Sequence, residues 1–188
     1  MHTLILVKHS LPEIDPETPA AEWSLSDEGR VRCMPLAVAL AVHEPGVVIA
    51  SREPKAAETG RIVAERLGLV YRLHNGLQEH DRCGEPFGSR VGFEERVRML
   101  LTQPSALVMG RETADAAHAR FAAAVDEITL ANPSQTIAVV THGTVISLFA
   151  ARANRTDPFA LWRRLGLPSF VVLALPDFRL LEVVETVL

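Results

Sequence analysis

Apolar positions along the chain follow two alternating periods. Aliphatic and β-branched runs at Thr3–Val7, Val47–Ala50, Val70–Leu73, Thr136–Val140, Ser169–Leu175 and Leu180–Val187 are short and bounded by polar or turn-forming residues. Each predicts a strand. Between them the spacing changes to three and four. Ala56, Gly60, Val63 and Leu67 share one helical face, and Ala117, Phe121, Val125 and Ile128 share another. Helices are therefore predicted from Pro54 to Gly68 and over 113–131. Pro54 suits a first turn and Gly68 a helix end. A further helix is predicted over 27–43, capped by Ser26, with Pro35 as a candidate kink. Others are predicted near 91–102 and after His142, where Ile146, Leu148 and Phe149 are concentrated.

Residues 74–112 break the alternation. Gly76, Gly84, Pro86, Gly88, Gly92 and Pro104 predict an excursion across the sheet, a candidate lid. The rest predicts one α/β domain over residues 1–188: a three-layer α/β/α sandwich with a mainly parallel sheet covered on both faces. The last two strands, joined through Pro176-Asp177, predict an edge hairpin. That hairpin could offer an edge for homodimer pairing, although nothing in the sequence requires it.

Composition narrows the function. With 48% hydrophobic and 22% charged residues, the chain is of ordinary globular type. Its net charge of −4 provides no bulk basic field for nucleic acid or an anionic membrane. An anion site must then be built locally. Cys33 and Cys83 have no CxxC or Cys/His metal spacing. The run Leu4–Val7 is too short for a signal-peptide core, and no apolar stretch approaches the ~20 residues that span a bilayer. A cytoplasmic protein with neither nucleic acid nor membrane as partner is expected.

In mainly parallel sheets ligands bind beyond the carboxyl ends of the strands. Those exits carry the polar chemistry. The first gives Lys8, His9 and Ser10. The second gives Ser51, Arg52 and Lys55 at a helix start. The third strand leads through a short loop to Gln78, Glu79, His80, Asp81 and Arg82. The exit after Thr136–Val140 gives Thr141, His142 and Gly143, again at a helix start. Two imidazoles, two ammonium groups and a carboxylate would converge there, with helix N–H groups beside them. Such a site suits a phosphate-like dianion. A neutral imidazole can attack phosphorus, while the lysines and the other imidazole hold the equatorial oxygens. Glu79 can protonate the leaving oxygen and then activate water, with Asp81 and Glu85 as competing carboxylates. No cofactor or metal is implied.

At these residues the chain resembles the histidine phosphatase superfamily, the phosphoglycerate mutase-like fold. LVKHS resembles its N-terminal strand motif, usually Arg-His-Gly. WSLSDEG is similar to its Leu-(Thr/Ser)-x-x-Gly segment, and SREPKAAETG to its serine-to-arginine motif. LQEHDRCG resembles the segment carrying the catalytic acid, and VVTHG the second histidine motif. The fragments stand in family order. The resemblance implies His9 as nucleophile, Glu79 as acid/base and His142 as phosphate ligand. Lys8, Lys55, Ser10, Ser51 and Gly143 would complete the phosphate site.

Three positions depart from the pattern. Lys8 and Lys55 stand where the family usually has phosphate-binding arginines, and Ser10 replaces glycine. Lysine keeps the charge but lacks the bidentate fork. At ~1.5–3 kcal/mol for each charged hydrogen bond, the loss is consequential unless Arg52 or Arg82 supplies a guanidinium.

The resulting expectation is a metal-independent phosphomonoesterase for a small phosphorylated metabolite. A binding module that holds a phospho-ligand without turnover is one alternative. A mutase-type phosphotransferase is another, disfavoured by the short chain and by the lack of a Glu-Arg-His-Tyr segment. Plain structural readings suffice elsewhere: Ser51 serves equally as a helix cap, Thr59 packs, and Thr113 caps a helix. His2, His43 and His118 are read as surface residues, Trp23 and Trp162 as packing, and Arg163-Arg164 as solvated.

Overall fold

The computed structural model describes residues 2–188. Six strands are β1 (Thr3–Lys8), β2 (Pro45–Ala50), β3 (Val70–Leu73), β4 (Thr136–Thr141), β5 (Ser169–Ala174) and β6 (Leu180–Val184). Six helices are α1 (Asp27–Ala41), α2 (Pro54–Leu67), α3 (Arg90–Thr102), α4 (Ala114–Ala131), α5 (Gly143–Asn154) and α6 (Pro158–Arg164). The sheet order is β3-β2-β4-β1-β5-β6. The first four in that order pair in parallel, and β5 runs antiparallel to both of its neighbours. β5 and β6 form the predicted hairpin, with β6 at the sheet edge.

The aliphatic runs are continuous because the sheet is buried on both faces. Along β1, Leu4 and Leu6 enter one core cluster, with Phe121 and Val125 of α4 and Ile146 of α5. Ile5 and Val7 enter the other, with Leu36 and Leu40 of α1 and Val63 of α2. These clusters are the two interlayer cores of the α/β/α sandwich.

Most helix ends follow local chemistry. Ser26 accepts the Gly29 N–H at 3.0 Å, and Gly68 closes α2 in the left-handed region at φ 67°. Helix α1 passes through Pro35 and ends at Ala41, two residues before the predicted limit. Strand β6 ends at Val184, not Val187, although Val187 is still buried in the core of the α1 side. Two short elements went unpredicted: the 3-10 turn Ala20–Glu22 and α6. Neither is long enough to show a helical period.

Part of the excursion packs as a wall of the core. Val97, Leu100 and Leu101 of α3 are buried in the main core. The segments on either side of that buried face are open, with Phe87, Val91 and Leu107 at 59%, 68% and 62% exposure.

Gly29 ties α1 to the first strand exit. A Cβ there would sit 2.0 Å from the Leu11 carbonyl oxygen, a backbone atom. Gly29→Ala should therefore push away the His9-Ser10-Leu11 segment. We expect it to cost about 1–3 kcal/mol by overpacking, measured by chemical denaturation.

Candidate active site

β1 and β4 are adjacent and parallel, with Lys8 opposite Thr141. Their next residues, His9 and His142, leave the sheet side by side. The ring centroids are 5.2 Å apart at 64°. β2 flanks β4, and the Ser51 N–H donates to the Val140 carbonyl at 2.9 Å. That places the Ser51 hydroxyl 3.0 Å from His142 Nε2. Glu79 arrives from beyond β3, where Thr141 Oγ1 donates to the Leu77 carbonyl at 2.7 Å.

The tautomer of His9 follows from its neighbour. Nδ1 lies 2.7 Å from the Ser10 carbonyl oxygen. A carbonyl only accepts, so Nδ1 carries the hydrogen and Nε2 keeps a free lone pair. Burial holds the His9 pKa well below its usual value, reinforced by His142, Lys55 and Lys8. A neutral ring with a bare Nε2 is what attack on phosphorus needs.

Ser10 faces elsewhere. Its hydroxyl donates to the Gly29 carbonyl at 2.7 Å, and its N–H donates to Thr59 Oγ1 at 3.1 Å. Thr59 does more than pack, since it also donates to the Lys55 carbonyl at 2.7 Å. Together they lock the loop that aims His9.

The two ammonium groups are partly engaged. Lys8 Nζ donates to the Leu165 carbonyl at 2.6 Å. Lys55 Nζ donates to the Ala20 carbonyl at 2.7 Å and to Glu53 Oε2 at 2.6 Å. An ammonium has three N–H bonds, so Lys8 keeps two for a ligand and Lys55 keeps one. Burial lowers the Lys8 pKa to about 8, helped by Arg82 and opposed by Glu79. A Cβ on Gly143 would lie 3.1 Å from Lys8 Cε, so glycine leaves room for that side chain. The two candidate guanidinium groups part company. Arg52 donates to Asn75 at 2.7 Å and lines a shallow groove with His74, Gly76 and Glu127, apart from the histidines. Arg82 lies 5.0 Å above the Phe93 ring, and its charge is felt at Lys8, Glu79 and His142.

Glu79 is half-buried between backbone donors. Oε1 accepts the His80 N–H at 2.9 Å, and Oε2 accepts the Thr144 N–H at 3.1 Å. Burial raises its pKa, but Arg82, His142 and these two N–H groups outweigh it, and the net shift is downward. The lowered pKa keeps the carboxylate ionised near neutral pH, as a base must be. A phosphate dianion alongside would raise its proton affinity for the acid role. The competing carboxylates serve the loop: Asp81 accepts the Cys83 N–H at 2.9 Å, and Glu85 pairs with Arg96 and accepts the Gly110 N–H.

Sequence reasoning missed two supports. Arg120 of α4 donates to the carbonyls of Gly76, Gln78 and Glu79 and pairs with Glu112 at 2.8 Å. Glu112 in turn holds His80 and Asp81 through its carbonyl and carboxylate. No local pattern links these residues. The other miss is Glu53. It is buried, pairs with Lys55, accepts the Glu79 N–H at 2.8 Å, and lies 3.5 Å from His142 Nε2. A carboxylate two residues before Lys55 was its only signal.

Elsewhere, His43 is largely buried, edge-on to Phe170 and 3.8 Å from Glu182. His118 stacks on Phe149. Trp23 meets Phe87 edge-on, and Trp162 packs between Phe93 and Phe159. Among the described residues, no group of three or more His, Cys, Asp or Glu could hold a metal ion, and no helix is long and apolar enough to cross a membrane.

Fold and site together define an α/β protein with two neighbouring histidines at the carboxyl ends of parallel strands. The profile of the histidine phosphatase superfamily (branch 1) matches residues 4–175, and the chain belongs to that family. No curated protein matches the sequence. Among solved structures it is similar to Bacillus stearothermophilus YhfR, with TM-score 0.79, 20% identity and coverage of 100% of this chain and 98% of that one. It is similar to a mycobacterial glucosyl-3-phosphoglycerate phosphatase with inorganic phosphate, with TM-score 0.77, 20% identity and coverage of 100% and 98%. A third is a phosphoserine phosphatase mutant from Entamoeba histolytica with phosphoserine, at TM-score 0.77, 15% identity and coverage of 97% and 96%. At these identities the likeness is one of fold.

Proposed function

We propose that the protein is a metal-independent phosphomonoesterase that acts on a small phosphorylated metabolite through a phosphohistidine at His9. The carrying observation is the paired geometry of His9 and His142, with His9 Nε2 left bare by the bond from Nδ1 to the Ser10 carbonyl. His9 Nε2 attacks phosphorus, and the P–O bond to the leaving group breaks. Glu79 delivers the proton to the departing oxygen. Water, deprotonated by Glu79, then attacks the phosphohistidine, releasing phosphate and restoring His9. Lys8, Lys55 and His142 hold the phosphoryl oxygens, with Gly143 making room and Ser51 orienting His142. Arg82 offers the guanidinium that the two lysines do not. Phosphate release from a panel of phosphomonoesters tests the activity, and release that persists in His9→Ala would refute the nucleophile.

The pH profile gives a separate check. Lys8 is charged below about 8 and neutral above. Phosphomonoesters complete their second ionisation near pH ~6, so the ligand does not change across that range. kcat/KM should fall as pH rises through about 8. In Lys8→Arg that alkaline limb should move above pH ~10, because arginine stays protonated there.

A second reading is a binding module without turnover, motivated by the occupied N–H groups of Lys8 and Lys55. If the lysines are losses, Lys8→Arg with Lys55→Arg raises activity. If the double change lowers an existing activity, the site is built around lysine and this reading fails.

A further inference from the structure

Glu53 has no place in the chemistry above, yet it is the best-connected carboxylate in the pocket. It sits just before α2, with its side chain 8% exposed. Oε2 takes one N–H of Lys55 and Oε1 takes the Glu79 N–H. Oε1 also stands 3.5 Å from His142 Nε2, which is 3.0 Å from the Ser51 hydroxyl. The other nitrogen of that ring, His142 Nδ1, is buried and has no hydrogen-bond partner among the described residues. An orphan ring nitrogen beside the nucleophile needs an explanation.

Resting on the phosphate-site reading above, we infer that Glu53 is a positioning residue: its carboxylate takes the Nε2–H of His142, so that the ring becomes an imidazolium and donates Nδ1–H to a phosphoryl oxygen. Glu53 does not touch the substrate. It draws one N–H from Lys55 and in return makes a charged donor of His142. In the family's usual pattern the charge at this corner would come from an arginine at position 55. Here it is divided between an ammonium and an imidazolium.

The protein groups around His142 favour the neutral ring. Burial lowers the His142 pKa to about 3, with Lys55, Arg82 and Arg120 adding to the effect and Glu79 opposing it. The groups acting on the ring are His9 after β1, Ser51, Glu53 and Lys55 from the β2 exit and α2, Glu79 and Arg82 from the excursion, and Arg120 from α4. An arriving dianion changes the balance, because the ring then lies between two negative charges. Protonation of His142 should accompany anion binding.

The test is 15N-histidine NMR of the full chain at pH ~7, with sulfate as the probe, since sulfate carries no proton there. The His142 signals are assigned by their loss in His142→Asn. In wild type, sulfate should move both His142 nitrogens into the imidazolium range. In Glu53→Gln, which keeps an acceptor oxygen for the Glu79 N–H, the ring should stay neutral and sulfate should bind roughly tenfold or more weakly. Glu53→Asp should recover part of both effects. An imidazolium in both wild type and Glu53→Gln would overturn the inference and leave the anion site standing. A neutral ring in sulfate-bound wild type would overturn it without recourse to any variant, because the Ser51 hydroxyl would then be the donor to Nε2. Failure of wild type to bind sulfate would refute the anion site and this inference together.

Discussion

His9→Ala should abolish phosphate release while leaving a folded protein that still binds phosphate. Removal of a covalent nucleophile costs roughly 10⁴-fold or more in kcat, because the remaining groups cannot substitute for bond formation. His142 is no replacement if, as inferred above, its Nδ1 carries a hydrogen donated to a phosphoryl oxygen and so has no lone pair for attack. The binding groups survive: Lys8, Lys55 and Glu79 make none of their observed bonds to the His9 ring. Calorimetric titration with inorganic phosphate, alongside a release assay, checks both halves. Equal losses of binding and turnover would instead make His9 a ligand.

The second large effect belongs to Glu79→Gln. A positioned acid/base contributes roughly 10²–10⁴-fold, and the amide retains one acceptor oxygen but cannot carry the proton. The loss should depend on the leaving group. An alkyl phosphate, whose alkoxide must be protonated as it leaves, should suffer nearly the whole effect. A nitrophenyl phosphate, whose leaving oxygen is stable as an anion, should lose much less in the first step. Its phosphoenzyme should then accumulate, because hydrolysis still needs the base, and rapid-quench kinetics would show a burst followed by slow turnover. A loss in the phosphorylation step that is equal for both substrates would assign Glu79 to holding the loop, through the His80 and Thr144 N–H groups, and remove it from proton transfer.

The parts of the fold that the chain spells out locally were legible. β1 and β4 are buried on both faces, so their sequences are unbroken aliphatic runs. Ser26, Pro54 and Gly68 mark helix ends by side-chain or backbone chemistry that works within a few residues. The histidine pair was legible because both residues directly follow strands, and adjacent parallel strands must deliver their exits to one edge. What required the tertiary fold was the partner of each charge. Lys55 and Glu53 are two residues apart, but their bond matters only because Ala20 and Glu79 are brought to them across 35 and 26 residues. Arg120 reads as one more residue of a helix until its guanidinium is seen closing on three carbonyls of the Glu79 loop. Ser10 resembles in sequence a residue of a phosphate motif, yet its hydroxyl turns to Gly29.

The central claim is covalent. Wild-type protein mixed rapidly with a phosphomonoester that it hydrolyses, quenched into base to preserve phosphohistidine, and digested for mass spectrometry should carry one phosphoryl group on the peptide containing His9. Its amount should rise before product release reaches steady state, and it should be absent from His9→Ala. Steady hydrolysis by wild type with no phosphoryl group on His9 at any time, or with the group on His142, would contradict the account.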